Sequence, residues 1–389
     1  ERMNKSLSNG YRSLDAPPIE FRAVPGSANF DLSEAARRGL ILDVIHDGDV
    51  IPAEFLVDAD GRPIEDERFL QTYWCERDWG ATDVAEETAQ LLGLPGYYHI
   101  NIARVLMDFG RFPGTTHSDP GHLNRFAINY PFSGLLGHEQ KRNVLERCYD
   151  AISDGFEEAI ANATHKIAVH TYDRVNPNGT VRPEISLCTR AASYQQSTEL
   201  PFGIFDPLFP DRLSEFTADR MLRDRISLTF EKHGLTVAHN FPYLLPDGSV
   251  EVRAHVWRYF RFLKGQFEVA FPLTIDDSSF KMVWKMLFDT NLRSSESELL
   301  RSYLYMYRRM PLDRQPEFAA ARDAYEAVLR FQDEHGAALL GRYVGSRDQL
   351  SSLTIEIRKD LLWSFDGERP IARKPGAARE IAVVLAEAV

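Results

Sequence analysis

The chain has 389 residues, 44% of them hydrophobic and 26% charged, and a formal net charge of −12 at pH 7. This length can bury a large core in one or two domains, while the acidic balance excludes general nucleic-acid binding, which needs a basic surface. No stretch reaches the roughly 18 apolar residues of a membrane span, and no charged-then-apolar leader opens the chain, so neither a membrane nor a secretory segment is expected. Cys75, Cys148 and Cys188 lie far apart without a CxxC pair, which predicts reduced thiols in a cytoplasmic protein.

Residues 1–37 are polar and punctuated by Ala16-Pro17-Pro18 and Val24-Pro25-Gly26, and read as an irregular lead-in. The apolar run 40–45 stops at His46-Asp47-Gly48-Asp49, which predicts a buried strand with His46 at its C-terminal end. Open α/β sheets place their ligand crevices at that end. After a turn-rich loop at 58–63, Asp83 and Glu86 form a capping-box pattern, Val84, Thr88 and Leu91 share one helical face, and Gly93 stops the helix. Residues 97–109 read as a second strand carrying Arg104 and Asp108. The segment 114–137, with His117, Asp119, His122 and Arg125, reads as a long functional loop.

From 139 to 162 the period is helical, with Leu145, Cys148, Ile152, Phe156 and Ile160 on one stripe. The strand 166–170 again ends in a histidine, His170, and the strand 184–189 leads to Arg190. A helix over 211–233 feeds a strand at 235–239, followed by Asn240-Phe241-Pro242-Tyr243. Beyond it, 250–259 and 266–275 read as strands, 278–335 as helical, 352–360 as a strand, and the chain closes in a helix from Ala377. These elements predict an α/β fold with a mixed, largely parallel sheet flanked by helices. Its core spans 38–245 with 350–389, and 246–349 forms a mostly helical insertion, a lid or an interface.

Neutral imidazole is the commonest metal ligand, and catalytic zinc takes three protein ligands and keeps one position open. His46 and His170 at strand ends are candidates, although a single strand-end histidine more often only caps its strand. In 352–360, alternation puts Thr354, Glu356, Arg358 and Asp360 on one face opposite Leu353, Ile355 and Ile357. Such a charged face belongs either to a site or to an edge strand with one solvated side. His117, His122 and His138 lack the tight spacing of a second metal site, and no glycine-rich phosphate loop follows a strand. Tyr303, Tyr305 and Tyr307 with Met306 and Met310 read as a packed helix or interface. No cysteine sits in a nucleophile elbow.

A metal ligand early, another mid-chain and a carboxylate late is the order of the zinc-exopeptidase-like hydrolases, and the chain resembles the N-formylglutamate amidohydrolase family. The matching pieces are His46 with Ile51-Pro52, Asp78-Trp79-Gly80-Ala81, 103–111, Val169-His170-Thr171, Asn240-Phe241-Pro242-Tyr243 and 355–361. The resemblance implies a zinc-exopeptidase/phosphorylase-hydrolase-like α/β fold with one zinc ion held by His46, Asp78 and His170. Asp49 and Glu76 are further carboxylates within reach. It also implies Glu356 as general base and acid, Arg104 as an oxyanion partner, and Arg111, Arg190, Arg358 and Asn240 as substrate contacts. Arginines suit a substrate bearing carboxylates.

The expected activity is hydrolysis of an N-acyl amino acid amide or a related small carboxylated substrate, without nucleic-acid or membrane partners, and compatible with a homo-oligomer. A deacylase or peptidase for a larger amide, or a non-catalytic binding protein on the same fold, are the alternatives. The chain departs from the family pattern at Gly110 (asparagine in the family), Thr171 (serine) and Lys359 (glutamine), and Asp47 places an acid beside His46. These departures affect the substrate rather than the hydrolytic chemistry.

Overall fold

The computed structural model describes residues 10–25, 39–114, 126–192, 206–306 and 314–389. Seven strands form one mixed sheet: β1 (Ile19–Ala23), β2 (Leu40–Val44), β3 (Gly96–Ile100), β4 (His165–Tyr172), β5 (Ile185–Cys188), β6 (Val237–His239) and β7 (Ser351–Arg358). Their order is β1-β3-β2-β4-β7-β5-β6. Strands β3, β2, β4 and β7 run parallel, β1 is antiparallel to β3, and the β5–β6 pair is antiparallel to β7. The central strands are covered on both faces, and their buried side chains include polar ones such as Asp43, Lys166 and Glu356.

The principal helices are α1 (Leu70–Glu76), α2 (Ala81–Leu92), a continuous α3 built from His138–Val144, a π-turn at Leu145–Tyr149 and Asp150–Ile160, then α4 (Asp211–Glu215), α5 (Arg220–Lys232), α6 (Val250–Ala270), α7 (Ser278–Phe288), α8 (Ser295–Met306), α9 (Gln315–Tyr343) and α10 (Ala377–Ala388). One sheet face, with Leu42, Val44, Val169, Leu353 and Ile355, packs against α2, α5 and α10. Each such side chain contributes about 1.5–3 kcal/mol when fully buried. Helices α6 to α9 pack around a core of their own that includes Leu263, Phe267, Trp284, Leu300 and Phe331.

The opposite sheet face is polar at its centre. Lys166 Nζ lies 2.6 Å from Asp43 Oδ2 and 2.6 Å from Glu251 Oε1, all three side chains buried. Burial keeps Asp43 above its ordinary carboxylate value even beside Lys166, whereas the Lys166 and His170 charges outweigh burial at Glu251 and hold it below. Two residues on, the buried Arg253 guanidinium donates to the Tyr149 hydroxyl (2.7 Å), Asn291 Oδ1 (2.6 Å) and the Phe109 carbonyl (2.6 Å). The first turns of α6 are thus rooted in the sheet core, while its remainder belongs to the helical core.

Several elements differ from the sequence reading. The region 250–275 is a single 21-residue helix, α6, followed by a short 3-10 turn, rather than two strands. Its valines, tyrosine and phenylalanines favour strands, but Val252, Val256, Phe260, Leu263 and Phe267 recur at helical spacing and are buried, and Ser249 Oγ caps the helix. The expected strand 97–109 ends at Ile100, and the following residues turn away as a loop. The lead-in contains β1, paired with β3 through Ile19 and Ile100. The helix expected at 211–233 is broken, because Thr217 bonds back to Thr189 and Asp219 caps α5.

A hairpin, β8 (Trp363–Asp366) and β9 (Arg369–Arg373), was not expected. Strand β7 is central rather than an edge, so Thr354 and Glu356 are buried. His117, Asp119, His122 and Arg125, and the side chains of Tyr305, Met306, Tyr307 and Met310, lie outside the described residues. Tyr303 packs on Phe318 of α9.

Candidate metal centre

Four segments converge at the C-terminal ends of the parallel strands. His46 follows β2, His170 belongs to β4 and Glu356 to β7. His170 and Glu356 are register partners on adjacent strands, so both side chains stand on one face. Asp78 arrives from the α1–α2 connection, where its N–H donates to the His46 carbonyl at 3.0 Å.

Local chemistry fixes that connection. Asp47 Oδ1 pairs with Arg77 Nε at 2.7 Å, and Asp47 Oδ2 accepts the Thr82 N–H at 2.9 Å. Asp47 therefore caps the start of α2, rather than the Asp83 that the sequence pattern nominates. Arg77 lies over the Trp79 ring at 4.1 Å. Gly80 adopts φ +91°, and a Cβ there would stand 2.8 Å from Leu362 Cδ1, so both conformation and space demand glycine.

Asp78 Oδ2 lies 2.9 Å from His170 Nδ1 and 3.7 Å from His46 Nδ1. One donor atom from each of the three residues falls within 4.8 Å of the others, and the residues are 2–7% exposed. Tetrahedral coordination with bonds near 2.1 Å separates donors by about 3.4 Å, a value these two distances straddle. Two imidazoles and one carboxylate are also the donor set of catalytic metal sites that keep a position open. The residues fit a metal ion. The two alternative acidic ligands are each paired with an arginine: Asp49 with Arg12 at 2.7 Å and Glu76 with Arg104 at 3.4 Å.

Asp108 supports the cluster from behind. Its Oδ1 sits 2.8 Å from His46 Nε2 and accepts the Gly110 N–H at 2.8 Å, while its Oδ2 lies 3.0 Å from Arg104 Nε and 3.2 Å from Arg111 Nε. A Cβ on Gly110 would stand 3.0 Å from Asp108 Oδ1 and 3.3 Å from His46 Nε2. The asparagine of the family pattern therefore has no room unless this loop shifts. Arg104 also reaches Asp78 Oδ1 at 3.5 Å, and Arg111 donates to Asn129 Oδ1 at 2.7 Å.

Glu356 is 5% exposed and accepts a hydrogen bond from the Tyr243 hydroxyl at Oε1. Burial lifts its carboxyl above the ordinary range, against the pull of His170. At His170 burial works downward, but the Asp78 hydrogen bond and the Glu356 charge push it up to about 9. Burial would raise Asp78, yet hydrogen bonds from His170 and His46 hold it well below the usual range. Burial and Glu356 together push Tyr243 well above its ordinary value.

The structure thus brings together His46, Asp78, His170, Glu356, Arg104 and Arg111. It engages the other three candidates elsewhere. Arg358 binds Asp360 through two contacts of 2.8 and 3.0 Å. Arg190 stands 3.9 Å from Glu215 and over Phe216. Asn240, at φ +52°, accepts the N–H groups of Thr189 and Arg190 at 2.9 Å each. Sequence reasoning missed Tyr243, the last residue of a motif it quoted, and the supporting role of Asp108, four residues from Arg104.

No family model matches the chain, and no curated protein matches it. Two solved structures are similar along nearly the whole chain. A gene product of Agrobacterium tumefaciens is 15% identical with a TM-score of 0.45, over 96% of this chain and 93% of its own. An N-formylglutamate amidohydrolase from Ralstonia eutropha is 13% identical with a TM-score of 0.47, over 96% of this chain and 97% of its own.

Proposed function

We propose that the protein is a zinc-dependent amidohydrolase that cleaves the amide of an N-acyl, N-formyl-like amino acid or a related small carboxylated substrate. The observation that carries this reading is the buried His46–Asp78–His170 donor set with the Glu356 carboxyl on the neighbouring strand. A zinc ion held by His46, Asp78 and His170 would supply Lewis acidity toward a scissile carbonyl and lower the pKa of a water toward roughly 7. Glu356 takes the proton of the attacking water and passes it to the leaving amine, a role suited to a carboxyl lifted by burial. Tyr243 fixes its orientation by donating to Oε1. Arg104, beside Asp78, opposes the negative charge that develops on the carbonyl oxygen. Arg111 offers a guanidinium to the substrate carboxylate. The free cysteines agree with a reducing, cytoplasmic setting.

The test is metal analysis of the purified protein with a panel of N-formyl and longer N-acyl amino acids. One zinc per chain and turnover of this class is the expected outcome. A folded protein that takes up no metal and hydrolyses none of the panel would overturn the reading.

A further inference from the structure

A large cleft lies away from the metal centre. It has a volume of about 1510 Å³ and opens at the other end of the strands, bordered by Gly39 before β2, His165 at the start of β4 and Ser351 at the start of β7. From His165 to His170 the strand rises about 16 Å, so the cleft and the metal centre lie a strand's length apart. Helices α4 and α6 and the end of α9 complete its walls.

Five arginines line it: Arg212, Arg220, Arg258, Arg261 and Arg347. Among the described residues none of them makes an ion pair with a carboxylate, whereas Arg12, Arg77, Arg293 and Arg358 elsewhere all do. Three carboxylates share the cleft, and two of them have other work: Glu215 faces Arg190, and Asp219 caps α5; the third is Asp348.

Arg258 is only 7% exposed, and its donors are spent on the carbonyls of Asp348 (2.9 Å), Ala161 (2.8 Å), Ile160 (3.2 Å) and Arg347 (2.8 Å). Those four bonds engage most of its five N–H groups without cancelling its charge, and burial disfavours that charge. Arg212, Arg220, Arg261 and Arg347 are exposed. Arg220 stacks over Phe216 at 4.9 Å, and Phe216 and Phe262 give the cleft an apolar wall.

We propose that this cleft is a second ligand site, for a small polyanion that carries two or more phosphate or carboxylate groups on a partly apolar body. Arg258 supplies charge from the wall, and the exposed guanidiniums supply the directional contacts, which suit either oxyanion. A long polyanion is disfavoured by the net charge of −12, whereas a compact one meets only the local excess of cations.

The experiment is isothermal titration of the full chain with tripolyphosphate and, separately, citrate at low and raised salt. The expected result is saturable binding of at least one probe, weakened by salt. Binding should be at least tenfold weaker in Arg212→Glu/Arg261→Glu and unchanged in Arg62→Glu, a reversal at a side chain 75% exposed in an outlying turn. The tighter probe names the oxyanion. Arg212 and Arg261 are both exposed, so their reversal leaves the fold intact by circular dichroism. Absence of saturable binding, or binding that survives the double reversal, overturns the proposal. So does binding that disappears in His46→Ala, because the probe then sits at the metal centre. The outcome is independent of whether the chain hydrolyses amides.

Discussion

His46 Nε2 lies 2.8 Å from Asp108 Oδ1, which leaves His46 Nδ1 as the nitrogen turned toward Asp78. A carboxylate behind a metal-binding imidazole fixes its tautomer and orientation and raises its basicity. Asp108→Ala should therefore weaken zinc binding by about 10- to 100-fold while the fold is kept. Competition with a fluorescent chelator measures this, and an unchanged affinity would deny Asp108 that role.

Glu356→Gln preserves shape and removes the proton acceptor. It should retain zinc and lose about 100-fold or more in kcat, the scale of general acid–base catalysis. His46→Ala should lose the metal itself. Tyr243→Phe should lower kcat by about fivefold, the value of one hydrogen bond near 1 kcal/mol. Full turnover in metal-replete Glu356→Gln would sink the mechanism.

The Lys166 ammonium bridges two buried acids, Asp43 and Glu251. Lys166→Met should cost about 3–5 kcal/mol, because it strands both acids without a partner. The triple variant Asp43→Asn/Lys166→Met/Glu251→Gln should recover much of that loss. Urea unfolding of both reads the difference.

His99 and His255 are buried, and burial pushes each down to about 4. Between pH 6.5 and 4 the unfolded chain binds a proton at each position that the folded chain refuses. Their contribution is complete above pH 6.5 and lost as pH falls through that window, at most about 3 kcal/mol per histidine. Replacing His255 by Gln should flatten the fall of the urea midpoint between pH 7 and 5 relative to the parent. An identical slope in both proteins would remove His255 from the account.

The legible part of the site follows from the period of strands. Strand ends nominate His46 and His170, and alternation puts Glu356 on a charged face, because a strand of period two admits only one facing for each residue, while their roles come from the family resemblance. Asp78 was less accessible to such reasoning, since it sits in a turn fixed by Asp47, Arg77 and Gly80 acting together. Tyr243 reaches Glu356 across 113 residues of sequence, a contact that no local pattern encodes. Arg358 was offered to a substrate although Asp360, two residues away, holds it. The β-branched and aromatic content of α6 favours strands, whereas the spacing of its apolar residues is helical, the stronger signal in a buried helix.

The rooting of α6 limits how the region it leads into can move. Swinging the whole helical part away as a lid would draw Glu251 off Lys166 and pull Arg253 from Tyr149 and the Phe109 carbonyl. Each step breaks a buried contact made by a charged group, at a combined cost of several kcal/mol. Arg253 also grips the loop that carries Asp108 and Arg111, so the same displacement would loosen the support of His46. Any opening on the timescale of turnover must therefore hinge beyond the first turns of α6. The fastened end of that helix acts as a brace for the metal centre rather than a door over it.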